Sequence, residues 1–308
     1  MKEEIERSLT KDMQVGGQAV IEGVMMRSPE YVSVAVRKAN GEILVKRDPY
    51  VSLLKRYKFL NIPIVRGVVV LIETLYIGIK TLTFSADVAI QEEDEEVVAN
   101  PKKEKKREIF TTLWLILTVF LGVALALALF FYLPLILTGF LKIQQGFLFT
   151  LIEGLIRITI FFIYLWLITQ WKSMRRIFEY HGAEHKSIFT LEAGEELIPE
   201  NARKYSTHHP RCGTNFLLIV MIVSIAVFIF FPRPYTLMDR LIRFLFVPLI
   251  AGISYELIKI CGKKRNNKLV RALAAPGLWL QRLTTKEPDD EQLQVAIASL
   301  KSSLSKEN

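Results

Sequence analysis

Four long apolar runs dominate this chain beyond residue 108. The first, Ile109 to Leu137, carries no charge. The second, Gly146 to Trp171, is interrupted by Glu153 and Arg157. The third, Phe216 to Phe231, is again uncharged. The fourth, Leu241 to Ile260, holds Arg243 near its start and Glu256 near its end. Each is long enough to reach across a hydrocarbon core of about 30 Å, with the third near the short limit. A fifth stretch, Ile62 to Ala86, is mostly apolar but contains Arg66, Glu73 and Lys80. Arg66 and Glu73 are seven apart and share a helical face, which suits an interfacial or re-entrant helix better than a span.

Outside the runs the pattern changes. Tyr31 to Arg37 alternates, Asn40-Gly41 follows, and Glu42 to Lys46 is again rich in β-formers. An Asn-Gly turn between two such stretches predicts a β-hairpin. Beyond Arg271, Leu273, Leu278, Trp279, Leu280 and Leu283 suit a helix lying on a membrane, broken at Pro276-Gly277. Asp289-Asp290 predicts the cap of a last helix, Glu291 to Leu304, with Leu293, Ile297 and Leu300 at helical spacing. The expected architecture is an α-helical integral membrane protein. It has about four transmembrane helices, interfacial helices and a small N-terminal β-hairpin. Its segments are a cytosolic N-terminal part (1–61), the amphipathic or re-entrant helix (62–90) and a charged linker (91–108). A four-helix membrane domain follows (109–262), with a cytosolic His/Cys loop (172–215), then amphipathic cytosolic C-terminal helices (263–308).

Charge orients this arrangement. The net charge is +9, and its basic residues sit beside the apolar runs, so they read as membrane orientation rather than nucleic-acid binding. Lys102 to Arg107 precede the first run. Lys172, Arg175 and Arg176 follow the second, and Lys263, Lys264, Arg265, Lys268 and Arg271 follow the fourth. The opposite ends carry only Lys142, Arg233 and Arg240. Both termini are therefore expected in the cytoplasm, in a multi-pass protein of the cytoplasmic membrane. Met1 to Asp12 are charged and show no signal-peptide core. The 2 cysteines lie far apart and form no C-x-x-C pair, which fits a reducing setting.

The candidate chemistry lies between the second and third runs. All 4 histidines of the chain fall there. His181-Gly182-Ala183-Glu184-His185 reads H-x-x-E-H, the inverted zinc-hydrolase pattern. On a helix His181, Glu184 and His185 share a face, so two imidazoles can bind one divalent metal beside a carboxylate. His208, His209 and Cys212 follow. The expected ligand set is His181, His185 and His209, completed by Cys212 or a carboxylate. Zinc suits mixed nitrogen and sulfur donors; more oxygen donors would favour manganese or iron. Cys212 can also be read as an inert buried thiol, or as a nucleophile activated by His209 with Arg211 beside it. Glu22, His208 and Glu256 are candidates to support the site. Glu153 and Arg157, four apart inside a run, form either a structural ion pair or part of a path for substrate or ions. Met25 and Met26 read as packing.

Several stretches together resemble a known bacterial membrane family. They are Gly-Gly-Gln-Ala-Val-Ile-Glu-Gly-Val-Met-Met-Arg at 16–27, His-Gly-Ala-Glu-His-Lys at 181–186 and His-Pro-Arg-Cys-Gly-Thr at 209–214. Ser-Tyr-Glu at 254–256 and Thr-Thr-Lys-Glu-Pro-Asp-Asp at 284–290 complete the set. The family is catalogued as domain of unknown function 1385, and its members are often labelled predicted metal-dependent enzymes. The resemblance covers nearly the whole chain and implies an integral membrane protein with a metal.

The residues lead to a metal-dependent hydrolase at the cytoplasmic membrane face. Glu184 is its general base, Arg211 or the metal steadies the developing oxyanion, and the substrate is embedded in or linked to the lipid bilayer. The alternatives are a metal-stabilised transporter or lipid-moving protein, with Glu153, Arg157 and Glu256 along a path, and a non-enzymatic scaffold stapled by zinc. Few spans and no visible repeat count against transport, although a homo-oligomer would supply both.

Overall fold

In the computed structural model the N-terminal signature is folded into a sheet larger than the expected hairpin. The structure describes residues 15–91, 101–210, 212–263 and 268–305. Strands β1 (Gly16–Val20), β2 (Gly23–Arg27), β3 (Tyr31–Arg37) and β4 (Ile43–Pro49) form an antiparallel meander in the order β1-β2-β3-β4. The hairpin around Asn40-Gly41 is its second half, with Gly41 at φ +87 in the turn. The first half is hard to see in the sequence because β2 is buried on both faces and so shows no alternation.

Each face of the sheet is covered by helices. On one, Val24, Met26 and Ala35 pack with Tyr180 and Ala183 of α5 (Lys172–Ala193) and with Leu293, Ile297 and Leu300 of α10 (Asp290–Leu304). On the other, Val20, Met25, Val34 and Val36 pack against Ile77, Phe84 and Val88 of α1 (Val65–Gln91). Successive strand residues point to opposite faces, and the two sets follow that period.

Between α1 and α5 run α2 (Pro101–Leu127), a π-helical turn (Ala128–Tyr132), α3 (Leu133–Phe140) and α4 (Gly146–Ile168). After α5 come α6 (Thr214–Phe228), α7 (Leu237–Leu245), α8 (Val247–Lys263) and α9 (Lys268–Thr284). Four stretches are long and apolar enough to cross a membrane: Val65–Ala89, Ile116–Phe140, Gly146–Ile168 and Met238–Ile260. This set differs from the expected spans. The third apolar run gives only the 15-residue helix α6, about 22 Å long at 1.5 Å per residue. The 62–86 stretch instead forms a continuous helix of membrane length. Its charges do not interrupt it because partners take them: Arg66 pairs with Glu256, and Glu73 accepts from Ser52 Oγ at 3.0 Å and from Leu53 N at 2.5 Å.

Two further differences concern helix boundaries. α9 runs through Pro276 instead of breaking there. A proline removes one backbone donor, and the packing of Leu280 and Gln281, both fully buried, outweighs that loss. The charged stretch 91–108 becomes helical at Pro101, a residue tolerated at a helix start; residues 92–100 lie outside the described residues. The last helix begins as expected, with Asp289 as its cap in a reciprocal capping box with Gln292.

The chain divides into two compact units. One takes the described residues within 1–90, 165–220 and 247–308, and the other those within 91–164 and 221–246.

Candidate metal centre

The first unit holds the histidines. α5 starts after Trp171 in an extended conformation and ends at Gly194, which takes a left-handed φ of 69 and donates to the Leu191 carbonyl. His181 and His185, four apart, lie on one face of it. The chain then loops back: the Cys212 amide donates to the His209 carbonyl at 3.2 Å, and the Asn215 amide to the Cys212 carbonyl at 3.3 Å, a turn leading into α6. Gln281 of α9 clamps this return. Its Oε1 accepts from the His209 amide at 2.7 Å, and its Nε2 donates to the His209 carbonyl at 2.8 Å and to Asn215 Oδ1 at 3.1 Å.

Both helical imidazoles are oriented from behind by backbone carbonyls. His181 Nδ1 donates to the Thr284 carbonyl at 2.7 Å, and His185 Nδ1 donates to the Thr207 carbonyl. A nitrogen that faces a carbonyl must carry the proton, so in the neutral ring Nε2 is the nitrogen with the lone pair. His181 Nε2 lies 3.2 Å from Cys212 Sγ. His185 Nε2 is buried and has no hydrogen-bond partner among the described residues. Cys212 Sγ also meets Thr214 Oγ1 at 3.0 Å and receives the Thr214 amide at 3.4 Å. One ligand atom each from His181, His185 and Cys212 lies within 4.8 Å of the other two. Burial lowers the His185 pKa, which favours the neutral, ligating form.

Gly182, between the two histidines, lets this happen. A Cβ there would run into the Lys286 carbonyl oxygen. Its absence allows the segment after α9 to cross α5 closely, with the Lys286 amide bonded to the Phe178 carbonyl at 2.9 Å, and this brings the Thr284 carbonyl to His181.

The other sequence candidates are distributed around this triad or away from it. His209 lies beside the triad, its ring centroid 5.7 Å from that of His185 and its Nε2 3.1 Å from Glu192 Oε1. The structure brings Cys212 together with the two helical histidines, and the imidazole in hydrogen-bond contact with the thiol is that of His181. Glu184 is buried under β1. A Cβ on Gly17 would stand 2.8 Å from its Cδ, so glycine is needed there for the carboxylate to fit. Burial raises the Glu184 pKa, opposed by the imidazoles of His181 and His209 and by a hydrogen bond from the Gly17 backbone. His208 is half-buried, its Nδ1 3.2 Å from Ser206 Oγ. Glu22 pairs with Arg176 and accepts from the Tyr180 hydroxyl at 3.2 Å. Glu256 is held by Arg66, whose Nε donates to it at 2.6 Å. Arg211 lies outside the described residues. Glu153 and Arg157 belong to the second unit. They form a buried ion pair, and Arg157 Nη1 donates to Ser224 Oγ at 3.0 Å.

Sequence reasoning overlooked Thr207, Thr284, Gln281 and Glu192. The two threonines act through backbone carbonyls, which leave no mark on residue type. Glu192 was readable, because it lies seven residues after His185 and so on the same helical face. Lys186, buried and paired with Glu287 while donating to the Arg203 carbonyl at 3.1 Å, ties the 284–290 motif to α5.

The family model described as "Protein of unknown function (DUF1385)" matches residues 62–306. The chain belongs to this family. It is also 32% identical over 296 residues to the uncharacterized protein YqhQ of Bacillus subtilis (strain 168), covering 92% of this chain and 90% of that protein. No solved structure matches it.

Proposed function

We propose that this protein is a metal-dependent hydrolase acting on a membrane-associated substrate at the cytoplasmic face of the bilayer. One observation carries the reading. His181 and His185 both spend their Nδ1 protons on backbone carbonyls, and both offer a ligand atom within 4.8 Å of the same thiol. Hydrogen bonds of this kind behind a ligand fix its tautomer and direction in metal sites. Three protein donors would leave a fourth position for water or substrate, the pattern of catalytic rather than structural zinc, and two nitrogens with one sulfur suit zinc. A divalent ion there supplies Lewis acidity and lowers the pKa of water.

The chain's own residues do the remainder. Glu184, held in line by the Gly17 amide and made more basic by burial, takes the proton of the attacking water. Arg211 follows the His209-Pro210 stretch directly before Cys212 in sequence and supplies a positive charge for the developing oxyanion. The cytoplasmic setting rests on the Lys/Arg asymmetry together with α1. Ile77, Phe84 and Val88 hold the second half of α1 on the sheet, and β4 shortly precedes its start, so α1 leaves and returns to one side. It then lies along the membrane, while α2–α3, α4, α6 and α7–α8 cross it, the short α6 at a modest mismatch cost.

A second reading is favoured by the 3.2 Å approach of His181 Nε2 to Cys212 Sγ: a thiol nucleophile with His181 as its base. Protein that purifies without metal yet loses all function in Cys212→Ser would select it.

Glu184→Gln tests the hydrolase. Glutamine keeps the volume and can still accept from Gly17, so bound metal should be unchanged. Turnover should fall by about two to four orders of magnitude. A strain carrying only the E184Q protein should accumulate the same lipid or lipid-linked species as a strain lacking the protein. A wild-type lipid profile at full metal occupancy would eliminate Glu184 as the base.

A further inference from the structure

The second unit contains a cavity that the hydrolase reading does not use. It has a volume of about 230 Å³ and is lined by Tyr132, Phe149, Arg233, Tyr235 and Arg240 among others. An apolar groove of about 360 Å³ adjoins it and shares Tyr132 and Arg240 with it; Leu127, Phe131, Leu241 and Phe244 make the rest of its wall. We propose that cavity and groove together bind one anionic phospholipid, the headgroup phosphate between Arg233 and Arg240 and an acyl chain along the groove.

Charge is the first argument. No carboxylate pairs with Arg233 or Arg240 among the described residues. Arg233 donates from Nη1 to the Ile143 carbonyl at 2.8 Å and lies over the rings of Phe149 and Tyr235, at 4.7 and 5.1 Å from their centroids. Arg240 sits 5.7 Å from the Tyr132 ring centroid, and its Nε is buried with no acceptor among the described residues. The neighbouring carboxylate, Asp239, is committed elsewhere: it caps α7, accepting from the Thr236 amide at 2.9 Å. Two guanidinium groups in one cavity, one with an orphan donor, call for an anion, and arginine's planar fork matches a phosphate.

Shape is the second argument. An inorganic anion would need only the basic cavity. The groove continues from it with almost entirely apolar walls, so the complementary ligand is an amphiphile, charged at one end and hydrocarbon at the other. Basic pockets between membrane helices bind acidic headgroups on the cytoplasmic side, and the same arginine–phosphate pairing is available on the opposite face, where Arg233 and Arg240 are expected. The groove also borders the π-helical turn Ala128–Tyr132. Pro134 lacks the amide that would bond the Phe130 carbonyl in an ordinary α-helix, so the turn has a sequence cause. Such turns recur at functional sites, and this one ends on Tyr132, the residue common to cavity and groove.

This site stands on residues separate from His181, His185 and Cys212, so either reading can fail alone. The test uses the full-length protein in neutral detergent, with native mass spectrometry to count bound lipid. Dioleoyl phosphatidylglycerol should bind at one molecule per chain, at least several-fold more tightly than dioleoyl phosphatidylcholine. Arg233→Gln with Arg240→Gln should weaken phosphatidylglycerol by roughly tenfold or more. Leu241→Trp, at an exposed position that does not threaten folding, should fill the groove and weaken it comparably with both arginines intact. Equal binding of the two lipids to wild type would overturn the proposal, as would unchanged binding in Leu241→Trp. Full displacement of the lipid by millimolar glycerol 3-phosphate would leave a phosphate site without an acyl groove, and would overturn it equally.

Discussion

Glu153 and Arg157 in one unit, and His181 and His185 in the other, are both pairs of polar residues spaced four apart on a helix; all are buried except His181, which is half-buried. They differ in where their polar atoms point. Glu153 and Arg157 turn toward each other, and Ser224 takes a further guanidinium proton. The helical period alone closes that pair. The histidines turn their Nδ1 atoms to the Thr284 and Thr207 carbonyls; His181 Nε2 meets the Cys212 thiol, and His185 Nε2 has no partner among the described residues. Buried groups normally meet their needs locally. The first pair is closed by an ion pair on its own helix, whereas the second leaves the buried His185 Nε2 without a partner among the described residues, a position the proposed metal would fill.

Two substitutions pull these roles apart. The larger effect belongs to the histidines: His181→Ala with His185→Ala removes two of three donors. Metal measured by elemental analysis of the purified protein should fall from about one equivalent to background. Equal metal in wild type and double variant would end the assignment of this pair. In the other unit, Arg157→Met removes the guanidinium that hydrogen-bonds Glu153 and leaves the buried carboxylate with only the nearby charge of Arg243. That should cost about 3–5 kcal/mol, read as a lowered midpoint of thermal unfolding in detergent. Glu153→Leu added to Arg157→Met should restore part of the loss, the remainder being the attraction between Glu153 and the buried Arg243. If the double variant were as unstable as Arg157→Met alone, Glu153 and Arg157 would have a role beyond mutual neutralisation.

Local rules carried part of this structure and failed where partners are distant. The helical face of His181, Glu184 and His185, the Asn40-Gly41 turn, the Asp289 cap and the buried set Leu293, Ile297 and Leu300 all follow from spacings of a few residues. Period also placed Arg66 with Glu73, yet Arg66 found Glu256, 190 residues away. The same held at the site. Whether His209 or Cys212 faces the helical histidines depends on Gln281, which grips the His209 peptide from 72 residues further on. Strand β2 escaped notice because burial on both faces erases the alternation that announces a strand. The carbonyls of Thr207 and Thr284 could not have been read at all, since every residue type offers one.

Those carbonyls are the feature that most separates the two pairs, and Gly182 gives a way to disturb them without touching a ligand. An alanine methyl at 182 would collide with the Lys286 carbonyl and come within 3.2 Å of Thr207 Cγ2. Lys286 is two residues from Thr284, and Thr207 itself carries the acceptor for His185, so one methyl loosens the backing of both imidazoles. The helix is not at risk, because alanine is the better helix former by about 1 kcal/mol. The loss should therefore appear in the metal site rather than in α5. Affinity measured by competition with a chelator should drop by about 10–100-fold, the usual worth of hydrogen bonds behind a metal ligand. That is about 1.4–2.7 kcal/mol, smaller than the Arg157→Met effect. Helical content by circular dichroism should stay at the wild-type level. Unchanged affinity in Gly182→Ala would mean that the imidazoles hold their direction without Thr284 and Thr207, and the contrast with the Glu153–Arg157 ion pair would then rest on the thiol alone.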